Sequence, residues 1–195
     1  MSVIFGIREE DKIIVTGDKR SSSIEGNFIS DDMQKVVTVN EHLCIAFGGN
    51  ASIQNAILKN VESTDNKETL LVEDLLDIIN LFYQKIIENQ CDVIYGYPFY
   101  CLIAGKGKDG KGHLYNAGKF KNGFAYKETP MALYPPADAD IGECNAIFVK
   151  NYKLHHKDFY KRTVREIAQI SSVVSSTGNC WIYGLGTHKG QISEF

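Results

Sequence analysis

The 195-residue chain is 44% hydrophobic and 23% charged, enough to bury one sizeable core, and a single domain over residues 1–195 is the expectation. Its 21 Lys+Arg against 24 Asp+Glu leave a formal charge of −3, without the basic excess that a phosphate backbone demands, so nucleic acid is excluded as a partner. Ten Phe, ten Tyr and only four Pro argue against disorder, and no apolar run nears the ~18 residues that span a membrane.

The opening MSVIFGIREEDK has no basic stretch, long apolar run or small-residue cleavage site, so a cytoplasmic location is expected. Val3 to Ile7 and Lys12 to Thr16 are β-rich runs separated by the charged Arg8-Glu9-Glu10-Asp11, and Lys35 to Val39 faces Leu43 to Phe47 across Asn40-Glu41-His42. Each pair reads as an antiparallel hairpin. Gly48-Gly49-Asn50 ends the fourth strand, and Ala51 to Val61 begins a helix with Asn50 as its N-cap. From Glu68 to Gln90, the residues Val72, Leu75, Leu76, Ile79, Phe82 and Ile86 recur on one helical face.

Pro98 to Gly105 pairs with His113 to Ala117 across the Lys106 to Gly112 turn, and Gly123 to Tyr126 and Met131 to Tyr134 continue this second meander. Pro135-Pro136 breaks the pattern before two helices, Ile141 to Tyr152 and Asp158 to Val174, and Cys180 to Leu185 with Gly190 to Phe195 closes as a last hairpin. The order of strands, two helices, strands, two helices and strands points to an α+β protein. Two antiparallel sheets stacked face to face, with a helix pair outside each, give a four-layer αββα sandwich.

Most familiar chemistries find no footing. The five cysteines (Cys44, Cys91, Cys101, Cys144, Cys180) are odd in number and form no CxxC pair, which suits buried reduced thiols. Of five histidines only His155-His156 are neighbours, and adjacent side chains diverge, so no metal site is expected. Gly105-Lys106-Gly107-Lys108-Asp109-Gly110 sits in a hairpin turn instead of between a strand and a helix, so no nucleotide cofactor is expected. There is no GxSxG elbow, and Ser21-Ser22-Ser23 reads as a strand end or loop.

What remains is Ser2. Removal of Met1 gives it a free α-amine, whose ordinary pKa of ~8 makes it a usable base beside its own hydroxyl. One residue then supplies nucleophile and base.

Ser2-Val3-Ile4-Phe5-Gly6-Ile7, Thr16-Gly17-Asp18-Lys19-Arg20-Ser21-Ser22, Lys35-Val36 and Ala46-Phe47-Gly48-Gly49, in that order, resemble the opening of proteasome β-subunits and of the bacterial HslV peptidase. Asp18 follows Ser2 by 16 residues and Gly49 follows Asp18 by 31, similar to that family with a small insertion near Glu25-Gly26-Asn27. Gly178-Asn179-Cys180-Trp181-Ile182-Tyr183 resembles the Gly-x-x-x-Ile-Tyr segment of HslV.

The resemblance implies an N-terminal-nucleophile (Ntn) hydrolase with the αββα fold and threonine-type peptidase chemistry, needing no cofactor. Ser2 takes the place of the nucleophilic Thr, Lys35 that of the supporting lysine, and Gly49 that of the oxyanion-hole glycine. A cation beside the amine keeps it unprotonated, and Asp18 is placed to pair with Lys35. Ser22 matches a substrate-backbone contact, and Met33, Val37 and Phe47 fall where the family builds an apolar specificity pocket. Pro136-Ala137-Asp138-Ala139-Asp140 stands in place of the family's Ser-Gly-Ser, and no aspartate matches near Val174. Asp138, Asp140 and Ser175-Ser176-Thr177 are the candidates for those roles.

Two function classes follow. One is a hydrolase of peptide or amide bonds, assembled as a homo-oligomer, with any ATPase partner unspecified. The other is a non-catalytic subunit of the same fold that keeps Met1 and serves as a scaffold or binding module.

Overall fold

The computed structural model describes residues 2–23, 26–88, 99–120, 123–154 and 157–195. Met1, Glu25, Gln90, Cys91, Pro98 and His155-His156, all of which enter the sequence reading, lie outside the described residues. The described elements run β1 (Ile4–Arg8), β2 (Lys12–Asp18), β3 (Ser21–Ser22), β4 (Phe28–Ser30), β5 (Val36–Asn40), β6 (Leu43–Gly49), α1 (Ala51–Glu62), α2 (Val72–Glu88), β7 (Phe99–Lys106), β8 (Gly112–Phe120), β9 (Gly123–Glu128), β10 (Met131–Tyr134), α3 (Ile141–Leu154), α4 (Phe159–Ile170), β11 (Gly178–Gly184) and β12 (Lys189–Glu194). No helix among the described residues is long and apolar enough to cross a membrane.

The strands form two antiparallel five-stranded sheets, ordered β10-β1-β2-β11-β12 and β5-β6-β7-β8-β9, and β3 and β4 make a separate small hairpin. Period-two alternation sorts their side chains into layers. Ile4, Ile13, Val15, Val36, Ala46, Leu102, Leu114 and Trp181 are sealed between the sheets. The next residues along, Phe5 and Ile7, pack outward beneath Phe148 of α3 and Phe159, Val164 and Ile167 of α4. On the second sheet Ile45 and Phe47 meet Ile53 and Ile57 of α1 and Leu75, Ile79 and Tyr83 of α2. Three apolar interfaces therefore separate four layers, in the order αββα.

One strand changes partners. Met131 to Tyr134 does not extend the second meander: β10 crosses to the first sheet and pairs with β1, Ile4 opposite Tyr134. The crossing ties the sheets together, because Tyr134 stacks on Tyr100 of β7 at 4.4 Å between ring centroids and its hydroxyl donates to Asn116 of β8.

Two helices are shorter than their apolar periodicity suggests. Helix α2 starts at Val72, not Glu68, because Asn40 Nδ2 donates to the Lys67 and Leu70 carbonyls, and the Leu71 N–H is taken by Asp74 Oδ2. These competing bonds hold the preceding residues in a single 3-10 turn. Helix α4 ends at Ile170 instead of Val174, since Asp138 accepts from Ser171 Oγ at 2.6 Å and from Ser172 N and Oγ at 2.9 Å. Asp140 in turn accepts from Glu143 N at the start of α3.

Candidate active site

The first strand and the end of the second bring the chain start beside Asp18. Ile4 pairs with Gly17, and the Val3 N–H donates to Asp18 Oδ1 at 3.0 Å. The same oxygen accepts from Lys35 Nζ at 2.7 Å. The other carboxylate oxygen accepts from Arg20 N at 2.8 Å and Ser175 N at 3.2 Å. Asp18 is fully buried, and its four donors come from four separate parts of the chain. Gly17 makes room for this junction: a β-carbon there would stand 3.2 Å from Lys35 Cβ and Ile4 Cγ2.

Lys35 is 1% exposed. Burial holds its ammonium below the usual lysine range, while the Asp18 carboxylate opposes that effect by attraction and hydrogen bonding. Its backbone is held from both sides. Gln54 of α1 donates to the preceding carbonyl of Gln34 at 2.9 Å, and Asn179 of β11 to the following carbonyl of Val36 at 2.9 Å.

Ser2, Ser22, Met33, Lys35, Phe47 and Gly49 line one pocket of about 340 Å³. Ser2 is 5% exposed at its wall. Gly49 ends β6 with φ +100°, a left-handed conformation that strains any residue with a β-carbon, and it turns the chain into α1. Asn50 Oδ1 accepts from Ser52 N and Ile53 N, so the helix begins at the pocket with its positive end toward it. Ser22 lines the same pocket, and its Oγ is buried without a protein hydrogen-bond partner.

Val37 is the exception among the expected pocket residues. It pairs with Ile45 and packs under α1 and α2, away from the pocket lining. A strand advances about 6.6 Å over two residues, so Val37 sits one rung beyond the wall formed by Phe47. Ile29 and Ala51 line the pocket beside Met33 and Phe47.

Several residues around the site were not singled out from sequence. Arg20 makes a two-pronged contact with Asp31 at 2.8 and 2.9 Å and reaches the Ser172 carbonyl at 2.9 Å. Gln54, Asn179 and Asp31 act through contacts with residues distant along the chain, for which a single sequence carries no periodic or spacing signal. Of the candidates for the missing family positions, Ser175 reaches Asp18, whereas Asp138 and Asp140 bind at helix ends. Burial pushes the Cys44, Cys101, Cys144 and Cys180 thiols up, Cys180 to about 12, which disfavours the thiolate form.

Two stacked antiparallel sheets between two helix pairs form the αββα sandwich of the Ntn-hydrolase class of fold. The family model for proteasome subunits matches residues 2–120, and the chain belongs to the proteasome subunit family. Comparison with curated proteins returns no match.

Proposed function

We propose that this chain is a proteasome-like Ntn hydrolase that cleaves peptide or amide bonds through Ser2 after removal of Met1. The observation that carries this reading is that Ser2, Lys35 and Gly49 line one pocket, with Lys35 held by a buried carboxylate behind it. In this mechanism the free α-amine of Ser2 takes the proton from its own Oγ, and Oγ bonds to the substrate carbonyl carbon. The Gly49 N–H stabilises the resulting oxyanion, a contribution typically worth about 10² to 10³ in rate. Collapse breaks the C–N bond, the leaving amine takes the proton from the α-ammonium, and water then hydrolyses the Ser2 ester.

Lys35 keeps the amine unprotonated by its charge, Asp18 fixes Lys35, and Ser22 holds the substrate backbone. Met33, Phe47, Ile29 and Ala51 favour an apolar side chain in the pocket. Assembly as a homo-oligomer belongs to the same reading. It is supported by membership of the proteasome subunit family, whose subunits assemble into oligomeric particles, and a monomer mass in light scattering would refute it. The cytoplasm is the proposed location.

Intact mass and β-lactone labelling test the central claim. The expected result is a chain short by Met1 and labelled at Ser2, with Ser2→Ala unlabelled. A chain that keeps Met1 and takes no label would instead be a non-catalytic subunit of the same fold.

A further inference from the structure

The segment between α4 and β11 is fastened at both ends, and its two fastenings converge on one carboxylate. At its start, both Asp138 oxygens bind it: Oδ1 accepts from Ser171 Oγ at 2.6 Å, and Oδ2 from Ser172 N and Oγ at 2.9 Å. Those bonds outweigh partial burial and hold the Asp138 carboxyl below its ordinary range. The fixed Ser172 then offers its carbonyl to Arg20 Nη1, while the Arg20 backbone N–H donates to Asp18 Oδ2. Three residues further on, the Ser175 N–H donates to that same oxygen. Ser175 Oγ accepts from Lys19 N and donates to the Thr177 carbonyl, pinning the segment beside Asp18. A continuous hydrogen-bonded path thus joins Asp138 to Lys35.

We propose that Asp138 is a positioning residue for Lys35: by fixing Ser171 and Ser172 it keeps Arg20 and Ser175 on Asp18, and Asp18 on the lysine. The effect on catalysis rests on the hydrolase reading above; the coupling between Asp138 and Lys35 does not. Asp138 touches neither Lys35 nor the reacting atoms. It acts by limiting where the Asp18 carboxylate can sit, and the donor geometry matters because four bonds share two oxygens. The charged groups facing Lys35 are Asp18, Asp31 and Arg20, so any drift of Asp18 removes its principal counter-charge.

The test uses the full chain with Asp138→Asn, which keeps the shape but turns an amide donor toward groups that themselves donate. The Lys35 side-chain titration is followed by NMR, and the pH profile of kcat/KM is measured alongside. The expected result is a Lys35 titration displaced further down, with kcat/KM lowered on the order of 10- to 100-fold, the scale of a misplaced catalytic geometry. A role confined to ending α4 would lower the melting temperature and leave the Lys35 titration and the shape of the pH profile unchanged, and that result would overturn the proposal. If Asp138→Asn does not fold, Ser172→Ala removes a single side-chain bond of the clamp and is expected to move the same titration in the same direction. A wild-type chain without turnover whose Lys35 titration still responds would refute the hydrolase reading while upholding the coupling.

Discussion

Lys35 Nζ stands 2.7 Å from Asp18 Oδ1, a lysine at the entry to one sheet paired with the last residue of a strand in the other, both closed to solvent. Such a pair is poor evidence for stability, because desolvating two charges offsets most of their attraction, but breaking it is costly. The consequences can be separated by mutation.

Asp18→Ala leaves a buried ammonium without its carboxylate and removes the acceptor for Val3, Arg20 and Ser175. A loss of about 3–5 kcal/mol in urea unfolding is expected. Lys35→Met combined with Asp18→Ala should lose less than the single Asp18 change, because no charge is then stranded. If the double variant is the less stable of the two, the site is held by something other than charge pairing.

The pH dependence of stability carries a second signature of Lys35. Burial lowers its folded-state value, so between that value and the ordinary 10.5 the unfolded chain binds more protons than the folded one. In that window Lys35 makes stability rise with pH. The difference in unfolding free energy between wild type and Lys35→Met should therefore drift in favour of wild type as pH is raised toward 10.5. A flat difference would mean that the lysine is not held below its ordinary range.

Gly48 tests how the space between the two sheets is packed beside β6. A β-carbon there would stand 1.9 Å from Tyr100 Cε2, so the ring occupies the space that any larger residue needs. Gly48→Ala is expected to cost about 1–3 kcal/mol as an overpacked substitution, or more if Tyr100 cannot leave its stack with Tyr134. Removing the ring with Tyr100→Ala should make the two losses less than additive in a double-mutant cycle. Strict additivity would show that the ring and the glycine do not meet.

The sequence made the element order and the αββα layering legible because alternation and helical spacing are local signals. Asn50 as the cap of α1 was equally local, and the structure places its oxygen on Ser52 N and Ile53 N. The ends of α2 and α4 were not legible. There a distant side chain, Asn40 or Asp138, takes bonds that apolar spacing would assign to the helix. The exit of β10 to the other sheet was hidden for the same reason, since alternation states that a strand exists but not which neighbour it takes. Within the site, the grouping of Ser2, Lys35 and Gly49 followed from family spacing. Gln54, Asn179 and the Arg20–Asp31 pair emerged only from contacts across the fold.

At the turn side of the second sheet, His113 offers a test of electrostatics outside the site. Its Nδ1 lies 2.8 Å from Glu128 Oε1 and its Nε2 2.9 Å from Asp109 Oδ1, so satisfying both contacts takes a proton on each nitrogen. Burial alone would lower its proton affinity, but the bonds to Asp109 and Glu128 prevail and raise it above 6.5. A raised folded-state value means that the stabilisation is fully present below about 6.5 and is lost as pH climbs through the folded value. His113→Gln should therefore differ most from wild type near pH 5.5 and approach it by pH 8, as read from melting temperatures. Both carboxylates are partly exposed, at 46% and 41%, so added salt should shrink the acidic-side gap. A gap that widens with pH would mean that the imidazole is neutral in the fold and that one of the two carboxylate contacts is broken.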